Sequence, residues 1–368
     1  MKKRRSKPAG RWWLLLLPIA VFALAFETGG TTAAAAAGRF PAFIPMSGVT
    51  PRGVAVDKVG NVYVSVGEVR ENLEYIQIRK FTPAGEQVFS VEIGQGTIGG
   101  LAVTANGDLY IAMAVGLSRG VYRMDRKGNI ELLPNSDQIF FANGLAFDDR
   151  GTLFVTESFS PFYYGQGGIW RIPRGGHAEP FLQHEYLTGT GVLPNTPPMG
   201  ANGIAYYHGN LYVTNTEKGT VVRIPVWPDG TAGEPEEWVT LQEVWESPLV
   251  PWFPIPAMGD GLALDVHGNV YVAVLTRSAV VRINLLDKSQ ETVAAFLLSP
   301  VGPLLPAKLD FPASLAFGTG KGERTSLFVT NLGMGAILVP ISPRDGPLPW
   351  DGPSLVKIDA GVPGRPLH

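Results

Sequence analysis

The sequence predicts an all-β fold: a six-bladed β-propeller of four-stranded antiparallel blades, preceded by an N-terminal signal or anchor segment. Three observations predict it. A short phrase recurs six times; each copy is followed by a second apolar run, usually with an aromatic centre; a third apolar run follows in most copies. The phrases start at positions 52, 99, 143, 202, 260 and 313, intervals of 47, 44, 59, 58 and 53 residues. Periods in this range belong to repeat architectures.

The N-terminal element comes first. Lys2, Lys3, Arg4, Arg5, Lys7 and Arg11 form a basic head, and Trp12 to Phe26 is an apolar run. Small-residue tracts at Ala23-Leu24-Ala25 and Ala33 to Ala37 offer cleavage sites, the layout of an export signal. The run is short of the ~20 residues that span a bilayer comfortably. Residues 1–38 are therefore read as a signal peptide or an N-terminal membrane anchor with an Ala-rich tether, and residues 39–368 as the propeller. Either form puts the propeller outside the cytoplasm, with residues 12–26 as its means of membrane attachment if uncleaved.

Within each repeat the first run is small, β-branched and almost wholly apolar, as in Arg52-Gly53-Val54-Ala55-Val56 or Asn202-Gly203-Ile204-Ala205-Tyr206. This suits a strand buried on both faces. The second run, such as Val62-Tyr63-Val64, Leu211-Tyr212-Val213 or Leu327-Phe328-Val329, has strong β propensity. Polar turns with glycine join the two, as in Asp57-Lys58-Val59-Gly60-Asn61, and mark tight hairpins. Third strands include Gly168-Ile169-Trp170-Arg171-Ile172 and Val280-Val281-Arg282-Ile283, with a weaker fourth at Gln87 to Val91. Four antiparallel strands repeated radially make a propeller blade. The sixth blade is completed either by a C-terminal strand near Ser354 to Ile358 or by the segment around Phe40 to Ile44.

Composition excludes several functions. The chain has no cysteine, so disulfides, thiol nucleophiles and zinc-thiolate sites are absent. Of 30 basic residues six lie in the head, leaving 24 against 32 acidic, a net of −8 for the rest. An acidic body without a basic cluster argues against nucleic acid as a partner. His208 and His267 fall in turns at the face opposite the channel mouth, and no Ser/His/Asp arrangement emerges. The chain is expected to act as a monomer.

Equivalent residues of successive blades form rings around the axis. The first phrase residue opens the innermost strand at the channel mouth, and that ring reads Arg52, Gly99, Asn143, Asn202, Asp260, Ala313. A single Asn or Asp there would only cap a strand entry. Three in adjacent blades at one register point to a polar or metal site, and oxygen donors of this kind suit a hard cation.

The order Asn143-Gly144-Leu145-Ala146, Asn202-Gly203-Ile204-Ala205, Asp260-Gly261-Leu262-Ala263 resembles the senescence-marker-protein/gluconolactonase family of six-bladed propellers, which is related to the paraoxonases, strictosidine-synthase-like proteins and NHL-repeat propellers. The resemblance covers roughly residues 45 to 360. It implies a divalent cation in the channel, Ca²⁺ first, held by a Glu of blade one, an Asn of blade four and an Asp of blade five. It makes Asn202 and Asp260 metal ligands, Asp260 also catalytic, and Asn143 a substrate-binding residue. Arg52 stands where the acidic ligand should be, and an arginine cannot bind a cation. Two arrangements would restore chemistry. Glu157, at the end of the second strand of blade three, would supply a catalytic carboxylate, in the register also held by Asn215 and Asn331; that register commonly only holds the adjoining loop. Alternatively Arg52 binds an anionic substrate group while Asp260 acts as acid or base.

Long segments between blades lie on the same face. Trp238 to Met258 contains Trp252 and Phe253, which are read as substrate-binding walls over the polar ring. A few polar groups under an apolar surround describe a pocket for a small, partly apolar molecule. Packing of these loops onto the blades is the alternative. The functional expectation is an exported lactone or ester hydrolase dependent on a divalent cation; the alternative is a non-catalytic ligand- or protein-binding propeller outside the cytoplasm.

Overall fold

The computed structural model describes residues 42–161, 167–191, 197–242, 256–295, 309–333 and 352–367. The segment 1–38, Trp252 and Phe253 lie outside the described residues. Six four-stranded sheets form, five in plain meander order and the sixth with the first strand of the chain as its outer strand. The chain enters with β1 (Phe43–Pro45), then builds blade one from β2 (Thr50–Val56), β3 (Val62–Arg70), β4 (Leu73–Phe81) and β5 (Gln87–Gln95). Blade two is β6 (Thr97–Val103), β7 (Leu109–Ala114), β8 (Gly120–Met124) and the short β9 (Ile130–Leu132). Blade three is β10 (Ala142–Phe147), β11 (Leu153–Glu157), β12 (Gly168–Ile172) and β13 (Glu179–Gln183). Blade four is β14 (Ala201–Tyr207), β15 (Asn210–Asn215), β16 (Thr220–Pro225) and β17 (Glu236–Thr240). Blade five is β18 (Gly259–Leu264), β19 (Val270–Val274), β20 (Ala279–Ile283) and β21 (Gln290–Ala295). Blade six takes β22 (Pro312–Phe317), β23 (Ser326–Asn331) and β24 (Ser354–Asp359).

Both routes of closure offered by the sequence are used together. β24 is the third strand of blade six and β1 its fourth, with Phe43 opposite Val356, Ile44 opposite Leu355 and Pro45 opposite Ser354. One sheet thus joins chain segments from the two ends of the propeller. The six innermost strands close a ring, since each of β2, β6, β10, β14, β18 and β22 packs against both of its neighbours.

The core is a set of wedges between sheets rather than one centre. Tyr271 of blade five is fully buried, with its ring edge-on to Phe317 of blade six at 5.1 Å. Tyr212 meets Trp238 at 5.0 Å in the same manner. These are favourable offset geometries for aromatic pairs. The second strands are the most enclosed: every residue of β11, β19 and β23 is buried. The first runs, expected to be buried on both faces, are not. Ala102, Ala205, Ala263 and Ala316 are only partly buried, because one face of each inner strand lines the axial channel.

The hairpin turns away from the channel mouth follow their sequence. Asp57 Oδ1 accepts from the Val59 and Asn61 amides at 3.0 and 2.9 Å, and Asp265 Oδ1 accepts from His267 and Asn269 at 2.8 and 2.9 Å. Gly60 and Gly268 supply the positive φ, +89° and +81°. At this end the C-terminal segment crosses the channel. Arg365 N donates to Leu264 O at 3.0 Å, its guanidinium donates to Tyr206 O and to Asp149 Oδ1 at 3.1 Å, and Leu367 packs with the core between blades one and two. Arg365 and Leu367 line a cavity of about 220 Å³ together with the alanines of the inner strands.

Candidate functional site

The phrase does its work through a bulge. In every blade the pairing of first and second strands slips within the phrase, between Pro51 and Val54, Ile98 and Leu101, Ala142 and Leu145, Ala201 and Ile204, Gly259 and Leu262, and Pro312 and Ser314. A bulge leaves backbone groups unpaired and re-aims side chains. The glycine at the second phrase position lets neighbouring inner strands touch. A Cβ on Gly144 would sit 2.4 Å from Asn202 O, one on Gly203 2.4 Å from Asp260 O, and one on Gly261 2.8 Å from Ala313 O. None of these three has a positive φ, so close approach and not turn geometry demands the glycine. Where the preceding blade carries this glycine, the first phrase residue is thereby pressed against its joint; ahead of Arg52, blade six carries Ser314 instead.

Hydroxyls satisfy the groups the bulge releases. Thr156 Oγ1 accepts from Gly144 N at 2.7 Å and donates to Asn202 O. Thr214 Oγ1 donates to Asp260 O at 2.6 Å, and Thr330 Oγ1 accepts from Ser314 N at 3.1 Å and donates to Arg52 O. Ser65 Oγ accepts from Gly53 N at 2.8 Å. This belt links blade three to four, four to five and six to one. Its sequence signal was available: a Ser or Thr follows the second apolar run in four of the six repeats, at Ser65, Thr156, Thr214 and Thr330.

Above the belt the two asparagines are aimed alike. Asn143 Nδ2 donates to Ser158 Oγ at 3.0 Å, and Asn202 Nδ2 donates to Thr216 Oγ1 at 3.0 Å. Thr216 gives its one hydroxyl proton to Gly259 O at 2.9 Å, so it can only accept from Asn202, and this fixes which way the amide points. The Asn202 side chain also hydrogen-bonds the Asp260 carboxylate. Asp260 keeps some access to the channel but is enclosed by protein. Burial pushes its pKa up from 3.8 to about 7, against the opposing pull of the nearby Arg52 charge and the Asn202 hydrogen bond. Blades one, four and five therefore bring Arg52, Asn202 and Asp260 together, and Asn143 occupies the adjoining ring position in blade three.

Blade one adds a residue that sequence reasoning missed. Its β3–β4 hairpin runs Val62–Arg70 and Leu73–Phe81, longer than the inner hairpins of the other blades. Glu74 on this hairpin comes within 3.9 Å of the Arg52 guanidinium and accepts from Thr97 Oγ1 at 3.1 Å. Its signal was the length of the polar-apolar alternation through Glu68 to Gln77.

Glu157 is not brought to this centre. Strand alternation turns it to the sheet face opposite Thr156 and Ser158. Its carboxylate accepts from Phe140 N at 2.8 Å and from the Trp170 indole at 2.9 Å, holding the segment that enters blade three. Burial raises its pKa, and the Trp170 and Phe140 hydrogen bonds oppose that rise. Asn215 does the matching task in blade four, donating to Tyr186 O at 2.8 Å and Thr188 O at 2.9 Å. Glu217 completes that clamp by accepting from Thr190, Gly191 and Met199 amides.

The donor set does not fit a divalent cation. A hard cation wants several anionic or carbonyl oxygens. Here the Asp260 carboxylate stands beside the Arg52 guanidinium, and the Asn202 amide gives its nitrogen to Thr216. Among the described residues no three carboxylates or histidines lie together as ligands. The position expected to carry an acid carries Arg52, and the carboxylate nearest to it in blade one, Glu74, offsets that positive charge.

Fold and centre together define a six-bladed propeller with a polar site on its axis. Solved structures share this architecture. A luciferin-regenerating enzyme is 16% identical, covering 86% of this chain and 94% of its own, with a TM-score of 0.56. A candidate gluconolactonase is 15% identical, covering 89% and 96%, also at 0.56. The calcium-binding protein regucalcin from Agrobacterium tumefaciens is 16% identical over the same shares, again at 0.56. The structural neighbours are thus gluconolactonase- and regucalcin-like propellers, and at this identity the likeness establishes the fold. No family sequence model and no curated protein sequence matches the chain.

Proposed function

We propose that the chain hydrolyses a lactone or related ester at the polar ring on its axis, with Asp260 as the proton carrier. The observation that carries this reading is the enclosure of the Asp260 carboxyl on the axis beside Arg52 and Asn202, with a pKa near 7. A group that titrates near working pH serves best in proton transfer. The likeness of the fold to a candidate gluconolactonase supports the reaction class.

In the forward step Asp260 takes a proton from water as the oxygen attacks the carbonyl carbon. The tetrahedral intermediate then collapses, the ring C–O bond breaks, and the proton returns to the leaving alkoxide. Asn202 orients the carboxylate. Asn143, with one amide proton on Ser158, has a second to offer the developing oxyanion. Arg52 holds part of the Asp260 population ionised. No step needs a metal ion.

The test is a pH-stat screen of lactones and esters with the wild-type chain and Asp260→Asn. Turnover should rise through about pH 7 as Asp260 ionises, should vanish in the variant, and should survive EDTA. A silent panel, or activity unchanged by Asp260→Asn, removes the hydrolase reading and leaves a binding propeller.

A further inference from the structure

We propose that Arg52 anchors a free carboxylate of the ligand, so that the substrates are carboxylate-bearing lactones or esters. The substrate class rests on the hydrolase reading above; the anchor itself does not.

Arginine carries five N–H donors in a rigid fork and keeps its charge at any ordinary pH. In this structure the fork is unused. The Arg52 Nε is buried with no hydrogen-bond partner. The ion pair with Glu74 spans 3.9 Å, beyond hydrogen-bond reach, and the other oxygen of Glu74 is held by Thr97. Glu74 therefore offsets the charge without occupying the donors. A buried donor left unmade is unfavourable unless something else fills it.

Position says where the filler comes from. Arg52 is the first phrase residue of blade one, in the ring that also presents Asn143, Asn202 and Asp260 to the channel. Its backbone is fixed from blade six, because Thr330 donates to Arg52 O. The guanidinium is about one third exposed, so a molecule in the channel mouth can reach it. A carboxylate matches the fork with two parallel hydrogen bonds. A phosphate dianion fits less well, since Glu74 and the ionised fraction of Asp260 would oppose the second charge. A carboxylate seated on Arg52 would displace Glu74 as its counter-ion and leave the carbonyl end of the ligand to Asn143 and Asp260.

Benzoate and benzamide, matched in shape and different in charge, test this by calorimetric titration of the purified full-length chain. Benzoate should bind more tightly than benzamide. Arg52→Gln should weaken benzoate by roughly tenfold to a hundredfold and leave benzamide nearly unchanged. Arg52→Lys, which keeps the charge and loses the fork, should fall between. Glu74→Gln should strengthen benzoate by removing the competing charge, and it keeps the test alive if an Arg52 variant folds poorly. Equal affinity for the two probes, equal losses in Arg52→Gln, weaker benzoate binding in Glu74→Gln, or no benzoate binding up to about 10 mM would each overturn the anchor. Arg52-dependent benzoate binding with a silent lactone panel would keep the anchor and remove the hydrolase. Hydrolysis of uncharged lactones whose rate above about pH 8, where Asp260 is ionised with or without Arg52, is unchanged by Arg52→Gln would keep the hydrolase and remove the carboxylate-bearing substrate class.

Discussion

Asp260→Asn should stabilise the protein above neutral pH and do almost nothing below pH 4. The sign follows from the raised pKa. In the unfolded chain the carboxyl ionises near 3.8, whereas in the fold it stays protonated until about 7. Below 3.8 both states hold the proton, and the group makes no pH-dependent difference. Between about 4 and 7 the unfolded state alone releases its proton, so the native state loses stability as pH rises. Above about 7 both states are ionised and the deficit is constant. The interval is roughly 3 pK units at 1.36 kcal/mol each, so the upper bound is about 4 kcal/mol. Channel water reaches Asp260 in part, which brings the expected figure to about 2–4 kcal/mol. For a domain of this size that is on the order of 4–8 °C in Tm. Arg52 loses its counter-charge in the variant, but its attraction is already contained in the net pKa. Glu157, also raised by burial, shifts both proteins equally and cancels in their difference at each pH. The assay is urea or thermal unfolding of both proteins from pH 4 to 8. A difference that stays flat across that range, or a variant less stable at pH 8, would refute the enclosure of Asp260.

Three further outcomes follow from the same geometry. Arg52→Gln removes the charge that lowers the Asp260 pKa, so the carboxyl should titrate above 7, read by ¹³C NMR of labelled aspartate or by an upward shift of the pH–rate curve. Thr214→Val leaves the Asp260 carbonyl without its donor between blades four and five and should destabilise by about 1–3 kcal/mol, measured by urea unfolding. Gly203→Ala places a methyl 2.4 Å from that carbonyl. It should lower Tm and reduce turnover more than Thr214→Val does, because it displaces the backbone that carries Asp260; a silent Gly203→Ala would mean that the inner strands do not touch.

Much of the fold was legible because one constraint repeats six times. Each blade needs a small inner strand, a stiff second strand and a tight turn, and those needs leave the same residues at the same spacing. Both strands of the ring closure were legible, but only as alternatives; that β1 and β24 are used together shows only in the pairing of Phe43, Ile44 and Pro45 with Val356, Leu355 and Ser354. The polar ring was legible by register alone, which gave Asn143, Asn202, Asp260 and the departure at Arg52. The aim of side chains around it was less so. Glu157 and Ser158 are neighbours in sequence, yet strand alternation sends one to a loop and the other to Asn143. Glu74 stayed hidden because the length of a hairpin, not a motif, brings it to Arg52. Trp252 and Phe253 fall outside the described residues.

The phrase joins architecture to chemistry through a single device. The bulge frees backbone groups, in four of the six blades a hydroxyl from the second strand bonds into the joint, and in five a glycine lets the next blade close to van der Waals contact or nearer. A side chain at the first phrase position then has no room within its own sheet and is turned to the axis. Whatever residue stands there is presented toward the axis, whether it is Asp, Asn or Arg. Such a scaffold can exchange the chemistry of its centre by a single substitution without disturbing the ring, because the belt contacts at these positions run through backbone carbonyls. Thr330 bonds the Arg52 carbonyl and Thr214 the Asp260 carbonyl, and neither contact depends on the side chain. An exchange of acid for arginine at the blade-one position would therefore change the charge of the centre and leave the ring intact.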